Sequence, residues 1–293
     1  MSIIHTKNFL ILIGVLVSFI SPLKSEEKKY LVLHDDNYCH GLFSCFSTVI
    51  GLLDHYDNGD CAGFEVDYEK KGFYYEDDKG LNWWTYYFKP LELGSSSKAE
   101  KAVVDSWWHH HFAHKVYFEL SRERCCYLVD KYISVKGKIE DKADEFVKKK
   151  FKSKFVIGVN YRGTDKKCEA ARLPYETVKA AVLNVMNNLN IKQDGNFAIF
   201  VATDEEQFLD YMIDEFEEHV VYTKAFRSSN EVPVHLHKEN YEKGKQAVID
   251  CLLLSKCDYL VRTSSSLSLC ATFFNPKIPS ILLNPGIYDR KTN

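Results

Sequence analysis

The second half of the chain alternates short apolar segments with longer helical ones, and this alternation leaves few possible folds. The apolar segments are rich in β-branched and aromatic residues and are, in chain order, FVIGVNY, NFAIFVATD, HVVYTKAF, DYLVRT and PSILLN. The segments between them space their apolar residues at the helical period, as in PYETVKAAVLNVMNNL. Strands without a polar face occur in parallel sheets that helices cover on both sides. The pattern therefore predicts a doubly wound parallel α/β domain over residues 151–293.

The first half of the chain is less regular. Apolar segments predict strands at residues 30–34 and 63–68, and helical spacing predicts a helix at 41–56 between them. A long helical region is expected around residues 97–120, and a charged helix at 138–151 leads into the second half.

The smaller, irregular α/β domain that these elements predict, residues 26–150, contains one aromatic segment. Its large rings are Trp83, Trp84, Tyr86, Tyr87 and Phe88. Such rings either stack on a sugar face or fill a hydrophobic core. The core is the commoner role, and we expect it here.

The first 25 residues form a separate unit. Lys7 precedes an apolar run, Phe9–Ile20, and a polar stretch follows. This order is typical of a secretory signal peptide, and the run is shorter than the roughly 20 apolar residues that a spanning helix needs. An uncleaved signal anchor is the alternative, because the expected cleavage site fits the small-residue pattern poorly. Either way, we expect the rest of the chain in the secretory pathway, in the lumen of the endoplasmic reticulum or Golgi, or secreted.

The charge balance excludes one class of partner. The chain has 38 Lys and Arg against 41 Asp and Glu, a net charge of −3. A protein that binds the phosphates of nucleic acid needs a basic surface, so no nucleic-acid partner is expected. Membrane contact is expected only if the N-terminal segment is uncleaved.

Nine cysteines follow the predicted signal. In an oxidising compartment some of them should form disulfide bonds, and the odd number leaves at least one thiol. Pairings among Cys39, Cys45, Cys61, Cys125 and Cys126 are open, and the sequence assigns none of them. The chain has no C-x-x-C motif, which argues against a zinc ribbon.

Polar residues follow the strands of the predicted sheet, at the edge where parallel sheets bind ligands. In chain order they are Asn160, Arg162, Gly163, Thr164, Asp165, Lys166, Thr203, Asp204, Arg227, Ser264, Ser265 and Ser266. Arginine side chains and the N–H groups at a helix start are suited to bind phosphate. The edge therefore predicts a phosphorylated small molecule as ligand.

Other phosphate-binding patterns are absent from the sequence. No G-x-G-x-x-G follows a strand, no G-x-x-x-x-G-K-[ST] occurs, and no D-x-D would clamp a metal-bound nucleotide sugar. We therefore expect arginine and helix dipoles to neutralise the phosphates, with no metal and no other cofactor.

Several of these residues have a structural alternative. Arg162 and Asp165 could each form a salt bridge. Asp250, on a helix that the sequence predicts at residues 245–257, could simply cap or pair on the helix surface. Ser264–Ser266 could only cap a helix. A histidine cluster offers a similar choice, since His110 and His114 are spaced i, i+4. The motif lacks the glutamate of H-E-x-x-H, so a polar helix on the acceptor side is favoured over a metal site.

The segment IGVNYRGTDKK closely resembles the H-x-R-x-T-D-K motif of the fucosyltransferase superfamily. This group includes α1,6-fucosyltransferases, bacterial nodulation fucosyltransferases and protein O-fucosyltransferases. The resemblance continues through FVATDEEQFL and QAVIDCLLLSKCDYLVRTSSSLS and covers about Phe155–Asn284. It implies a GT-B fold with a Rossmann-like second domain, GDP-fucose as donor, a glycan or glycoconjugate as acceptor, inversion at the anomeric carbon and no metal.

The resemblance also implies roles for individual residues. Arg162 would bind the β-phosphate and stabilise the leaving GDP, and Asp250 would bind the guanine edge. Asn160 stands where relatives have a histidine near the nucleotide. The full donor-binding set is Asn160, Arg162, Gly163, Thr203, Asp204, His235, Asp250, Ser265 and Ser266.

On the acceptor side, the resemblance implies a network of Asp165, Lys166 and Glu169. This network contains a candidate base, and the expected catalytic set is Arg162, Asp165 and Glu169. The spacing of Glu169 differs from the family motif by one residue.

Three functions follow from the sequence. The first is a fucosyltransferase that uses GDP-fucose. The second is the same scaffold with another nucleotide sugar, which Asn160 motivates. The third is a non-catalytic protein that binds a glycan or a nucleotide.

Overall fold

Two sheets, one in each half of the chain, organise the structure. The computed structural model describes residues 28–34, 41–69, 72–97, 99–104, 106–152, 154–164, 169–192, 195–229, 232–287 and 289, with backbone only at 106–108 and 235. The predicted signal segment, residues 1–25, lies outside these ranges. No helix within the described ranges is long and apolar enough to cross a membrane.

The strands and helices of the described residues alternate along the chain. The strands are β1 (Tyr30–Leu33), β2 (Gly63–Val66), β3 (Glu92–Gly94), β4 (Lys101–Val104), β5 (Phe155–Tyr161), β6 (Phe197–Thr203), β7 (Val220–Val221), β8 (Tyr259–Arg262) and β9 (Ser280–Leu282). The helices are α1 (Leu42–Asp57), α2 (Trp84–Tyr87), α3 (Ser106–His114), α4 (Arg122–Tyr132), α5 (Gly137–Phe146), α6 (Tyr175–Asn188), α7 (Glu206–Phe216), α8 (Asn240–Ser255) and α9 (Ser266–Phe274). A π-helical turn extends α3 and another extends α5.

The sheet of the second half is parallel throughout, with strand order β7-β6-β5-β8-β9. The interior positions of β5 and all of β6 are buried, as their apolar sequences predict. From β5 the chain adds β6 and β7 on one side and then β8 and β9 on the other side, so the strand order reverses between β5 and β8. A crevice opens at such a reversal, at the carboxyl ends of the strands. The predicted doubly wound domain is confirmed.

The sheet of the first half has the order β3-β2-β1-β4, with β3 antiparallel and the other three parallel. The expectation of helix throughout residues 97–120 is wrong at its start, because Lys101–Val104 forms β4. This strand pairs in register with Tyr30–Leu33, so β1 supplies the hydrogen bonds that a helix would have supplied. The sequence pattern also missed the short strand Glu92–Gly94.

One hydrophobic core runs through both halves. It includes residues of the first sheet and of α1, α8 and α9, and it reaches one face of the second sheet. The aromatic residues Trp83, Trp84, Tyr86, Tyr87 and Phe88 are all at most 7% exposed and belong to this core, as expected. A second cluster covers the other face of that sheet, under α6 and α7. The domain boundary near residue 150 stays a prediction.

The first half caps the two helices that border the crevice. The carboxylate of Glu76 accepts the backbone N–H of Tyr241, in the first turn of α8, at 2.7 Å. The guanidinium of Arg122 donates to carbonyl groups around the end of α9, to Thr272, Asn275 and Ile278. Negative charge stabilises a helix start and positive charge a helix end, so these contacts hold the two halves together.

No disulfide bond joins two cysteines within the described residues, and the cysteines there are buried. The pairings that were left open among Cys45, Cys61, Cys125 and Cys126 are therefore not formed. Burial raises the pKa of Cys61 to about 11, which keeps this thiol protonated at neutral pH. A pairing with Cys39 would lie outside the described residues.

Gly51 is expected to be essential for the packing of α1 against α3. A Cβ atom at this position would overlap the backbone carbonyl of Phe112, which cannot move without shifting α3. We expect Gly51→Ala to lower the free energy of unfolding by about 2 kcal/mol, the cost of overpacking a core. Urea denaturation measures this difference.

Gly137 provides the matched control, since it also lies in a helix. A Cβ atom there would have no neighbour within 4 Å. Gly137→Ala should leave stability unchanged or raise it slightly. Equal stability of Gly51→Ala and the wild type would contradict the close approach of α1 and α3.

Candidate functional site

The turn Arg162-Gly163-Thr164, directly after β5, is fixed by the strands on both sides. The carboxylate of Asp204, after β6, accepts the backbone N–H of Gly163 at 2.9 Å and the hydroxyl of Thr164 at 2.5 Å. It also forms an ion pair with Nε of Arg162 at 3.2 Å. On the other side, Thr263 after β8 accepts the backbone N–H of Arg162 through its hydroxyl, at 2.9 Å. The guanidinium of Arg162 is therefore presented from a rigid loop.

Gly163 is required at the centre of this turn because its neighbours leave no room for a side chain. A Cβ atom would overlap the carboxylate of Glu205 and the ring of Tyr161. Glu205 is itself held by the guanidinium of Arg172 and by the hydroxyl of Tyr175. Gly163 thus positions Arg162 and has a structural role in the turn.

A small cavity of about 100 Å³ lies at the reversal of strand order. It is lined by Asn160, Tyr161, Arg162, Ala202, Thr203, Asp204, Ala225, Phe226, Val234, Lys243, Gln246, Ala247, Asp250, Ser265 and Leu267. Most of the donor-binding residues expected from the sequence therefore meet in one place.

Asp250, on α8, is a buried acid that lines the small cavity, and it is only 6% exposed. Burial raises its pKa from 3.8 to about 6, although a hydrogen bond from the Thr223 hydroxyl and the charge of Arg227 act in the opposite direction. The Thr223 hydroxyl donates to Oδ1 at 2.7 Å. Arg227 donates to the carbonyl groups of Thr223 and Ala225 and so fixes the loop that carries Thr223.

Asn160 presents a buried amide to the same cavity. Its Nδ2 donates to the carbonyl of Ala202 at 3.0 Å. Its Oδ1 is buried and has no hydrogen-bond partner within the described residues. A buried acceptor without a donor costs free energy, so this oxygen is suited to accept a hydrogen bond from a ligand.

A larger cavity of about 470 Å³ adjoins the small one and lies between the two halves of the chain. The second half contributes Arg162, Glu169, Ser265 and Ser266, among others. The first half contributes aromatic and histidine side chains, namely Phe43, Tyr74, His109, His110, His114, Tyr117 and Phe118. Apolar rings beside polar groups suit a sugar, which has both apolar faces and hydroxyl groups.

Two of the predicted hydroxyl groups form hydrogen bonds with neighbouring residues. The hydroxyl of Ser266 shares a hydrogen bond of 3.0 Å with the hydroxyl of Tyr117, across the two halves. The hydroxyl of Thr203 accepts the N–H of Glu205.

The backbone of His235 lies in a short turn, Val234–Leu236, and its side chain is outside the described atoms. Asp165 and Lys166 lie outside the described residues. Their contacts with donor or acceptor stay predictions.

The sequence pattern missed Lys243. This residue lines both cavities, is 5% exposed and lies seven residues before Asp250 on α8. Seven residues are two helical turns, so both side chains lie on one face of the helix. The spacing was visible in the sequence, but the helix was expected to begin only at Lys245. The true start, at Asn240, depends on the cap that Glu76 provides.

The histidines of α3 do not assemble into a metal site with other described residues. No group of three or more His, Cys, Asp or Glu side chains in the described ranges could hold a metal ion. His110 and His114 line the larger cavity instead. His109 is buried, and its Nε2 forms a hydrogen bond with the carbonyl oxygen of His34.

The raised pKa of Asp250 predicts a specific dependence of stability on pH. Because folding raises this pKa from 3.8 to about 6, the side chain stabilises the fold most below pH 4, and this stabilisation is lost as the pH rises through 6. Relative to Asp250→Asn, the wild type should lose about 2 kcal/mol of unfolding free energy between pH 4 and pH 7. Urea denaturation of both proteins at several pH values measures the difference. Parallel curves would show that Asp250 is ionised as easily in the fold as in the unfolded chain.

Comparisons with known proteins agree on one family. The family model of nodulation protein Z (NodZ) matches residues 96–288, more than half of the chain. No curated protein sequence gives a match. Among solved structures, NodZ α-1,6-fucosyltransferase soaked with GDP-fucose is similar with a TM-score of 0.57 and 14% identity, over 86% of this chain and 94% of its own.

Two further structures are similar over most of their length. A mutant of Arabidopsis thaliana FUT1 in complex with GDP has a TM-score of 0.53 and 12% identity, over 90% of this chain and 72% of its own. POFUT1 in complex with GDP has a TM-score of 0.50 and 10% identity, over 88% of this chain and 98% of its own. At such identities the likeness establishes the fold, which is the GT-B-like fold of these fucosyltransferases. With the match of the family model over residues 96–288, this shows that the chain belongs to the nodulation protein Z family of the fucosyltransferase superfamily.

Proposed function

We propose that this protein transfers fucose from GDP-fucose to a hydroxyl group of a glycan or glycosylated acceptor, with inversion and without a metal ion. One observation carries the proposal: a small cavity with a buried acid opens, past Arg162, into a larger cavity between the two halves. A nucleotide in the first and an acceptor in the second would meet beside the guanidinium. The related NodZ structure was obtained with GDP-fucose, and those of FUT1 and POFUT1 with GDP.

The small cavity suits a guanine base. Guanine presents adjacent N–H donors, and the carboxylate of Asp250 can accept both of them. The Oδ1 atom of Asn160, which has no hydrogen-bond partner among the described residues, offers a further acceptor in the same cavity. The ring of Phe226, which also lines the cavity, provides an apolar surface for a base.

The transfer forms a bond between the acceptor oxygen and C1 of fucose and breaks the bond between C1 and the β-phosphate oxygen. The electron pair of the broken bond goes to GDP, where Arg162 stabilises the new charge. The proton of the acceptor hydroxyl goes to a base. Glu169 is the one carboxylate among the described residues that line the larger cavity, and we assign it this role. Attack from the side opposite GDP inverts C1.

The metal-free mechanism is supported by the charges at the site. Arg162 and the start of α9 provide positive charge where the phosphates would lie. A cation fixed by the protein can replace a divalent metal in this role.

The N-terminal segment supports a proposed cellular location for this reaction. Residues 1–25 would direct the chain to the secretory pathway, where it would act in the lumen of the endoplasmic reticulum or Golgi. An uncleaved segment would add a contact with the membrane.

A second candidate function uses the same scaffold with another nucleotide sugar. Asn160 favours it, because an amide replaces the histidine of the family motif beside the nucleotide. A non-catalytic binding protein is the third candidate, and turnover distinguishes it from the first two.

Binding of nucleotides tests the donor. We expect GDP and GDP-fucose to raise the melting temperature of the purified chain in the presence of EDTA, and UDP to leave it unchanged. A ligand at about 100 times its Kd adds about 2.7 kcal/mol to stability, which differential scanning fluorimetry detects. GDP-mannose is included as a second guanine donor.

The outcomes separate the candidate functions. A response to GDP that needs added Mn²⁺ would overturn the metal-free site. Stabilisation by GDP-mannose and not by GDP-fucose would favour another nucleotide sugar. No response to any guanine nucleotide would overturn the proposed donor.

Arg162→Ala tests the charge at the leaving group. Because this guanidinium would stabilise the departing GDP, we expect kcat for fucosyl transfer to fall by about 10²-fold or more. Arg162→Lys keeps the charge but loses the planar pair of donors, and it should recover only part of the rate. An assay of acceptor fucosylation measures kcat, and unchanged melting temperatures show that the fold is intact. A near-normal kcat for Arg162→Ala would remove this residue from the mechanism.

A further inference from the structure

Six of the described residues line both cavities and so define the junction between them. They are Arg162, Val234, Lys243, Ala247, Ser265 and Leu267. If the base of the nucleotide occupies the small cavity and the acceptor the larger one, the diphosphate and C1 of the sugar lie at this junction. Two of the six side chains are charged, and both are cations. They come from different elements, Arg162 from the turn after β5 and Lys243 from α8.

Oxygen atoms of neighbouring residues in the second half help to hold Lys243 in place. Its Nζ donates to the carbonyl of His237 at 2.7 Å and to Oδ1 of Asn240 at 2.8 Å. The rings of Phe73 and Tyr74, from the first half, lie within 6 Å of the ammonium group. The side chain therefore has a fixed position at the junction, where both halves of the chain meet.

An ammonium group in this position has an electrostatic cost. Burial lowers the pKa of Lys243 to about 8, and the charge of Glu76 offsets only part of this effect. The group still carries its charge at neutral pH. A cation in a low-dielectric environment attracts an anionic ligand more strongly than a cation in water does, so Lys243 adds attraction for an anion at the junction.

We propose that Lys243 is a second phosphate-binding cation of the donor site, which holds the β-phosphate together with Arg162. The inference rests on the proposed function, since it takes a nucleoside diphosphate as the ligand. When the C1–oxygen bond breaks, the electron pair arrives on a β-phosphate oxygen between the two cations. The acceptor proton leaves to its base as before, so that the products are the fucoside and GDP.

The affinities of GDP and GMP for the full chain test this role. Lys243→Met keeps the length of the side chain and removes the charge. We expect it to weaken the binding of GDP and GDP-fucose at least tenfold, and that of GMP less than threefold, since GMP has no β-phosphate. Isothermal titration calorimetry gives both dissociation constants. If Lys243 only supported the fold, the dissociation constants of GDP and GMP would rise by the same factor.

Lys245→Met is the matched control. Lys245 lies on the same helix, forms an ion pair with Glu242 and lines neither cavity. Its replacement should leave both affinities unchanged. Lys243→Gln is a second variant, because its amide can still donate to His237 and Asn240 while the charge is lost. It should show the same selective loss if Lys243→Met fails to fold.

Several results would overturn the proposal. Equal losses for GDP and GMP would assign Lys243 a structural role, and unchanged GDP affinity with a raised KM for the acceptor would place it on the acceptor side. If the wild type binds no guanine nucleotide, the proposed function itself fails. If the wild type binds GDP and Lys243→Met binds it equally well, only the proposed role of Lys243 fails.

Discussion

The carboxylate of Asp204 is the contact on which the site depends. It accepts the N–H of Gly163 and the hydroxyl of Thr164, and it pairs with Nε of Arg162. A single side chain after β6 thus fixes the turn after β5. Thr263, after β8, completes the arrangement from the other side. Because three adjacent strand ends are joined in this way, Arg162 is preorganised before any ligand arrives, and a preorganised charge costs no reorganisation when the leaving group departs.

The second constraint is the attachment of the first half to α8 and α9. Glu76 caps the start of α8, and Arg122 binds the carbonyl groups at the end of α9. Both helices also contribute to the core that continues into the first half. Domains joined only by small polar interfaces move relative to each other. The shared apolar core and the two charged caps instead fix the width of the larger cavity and, under the proposed function, the distance between acceptor and donor.

Much of the second half was predictable because its signals are local. Each strand of the parallel sheet is a short apolar run, and β5 was predicted with its observed bounds, Phe155–Tyr161. The order of parallel strands then places the turn at Arg162 and the loop at Thr263 at one edge. The resemblance to the fucosyltransferase superfamily singled out Asp250, and this residue lines the small cavity. The expected helix at residues 97–104 was wrong, because a strand at the edge of a sheet is decided by its partner, and β4 forms against Tyr30–Leu33. No periodicity within four residues can show that pairing.

The sequence by itself determined the fold class, the residues that follow each strand and the family. These depend on hydrophobic periods and on residues close together along the chain. The tertiary structure alone decided what the side chains do. It directs Asp204 to the turn, buries Lys243 at the junction of the cavities and leaves Oδ1 of Asn160 without a donor from the described part of the chain. These roles depend on burial and on contacts between residues far apart in sequence, and such contacts exist only when the sheet and its helices have packed.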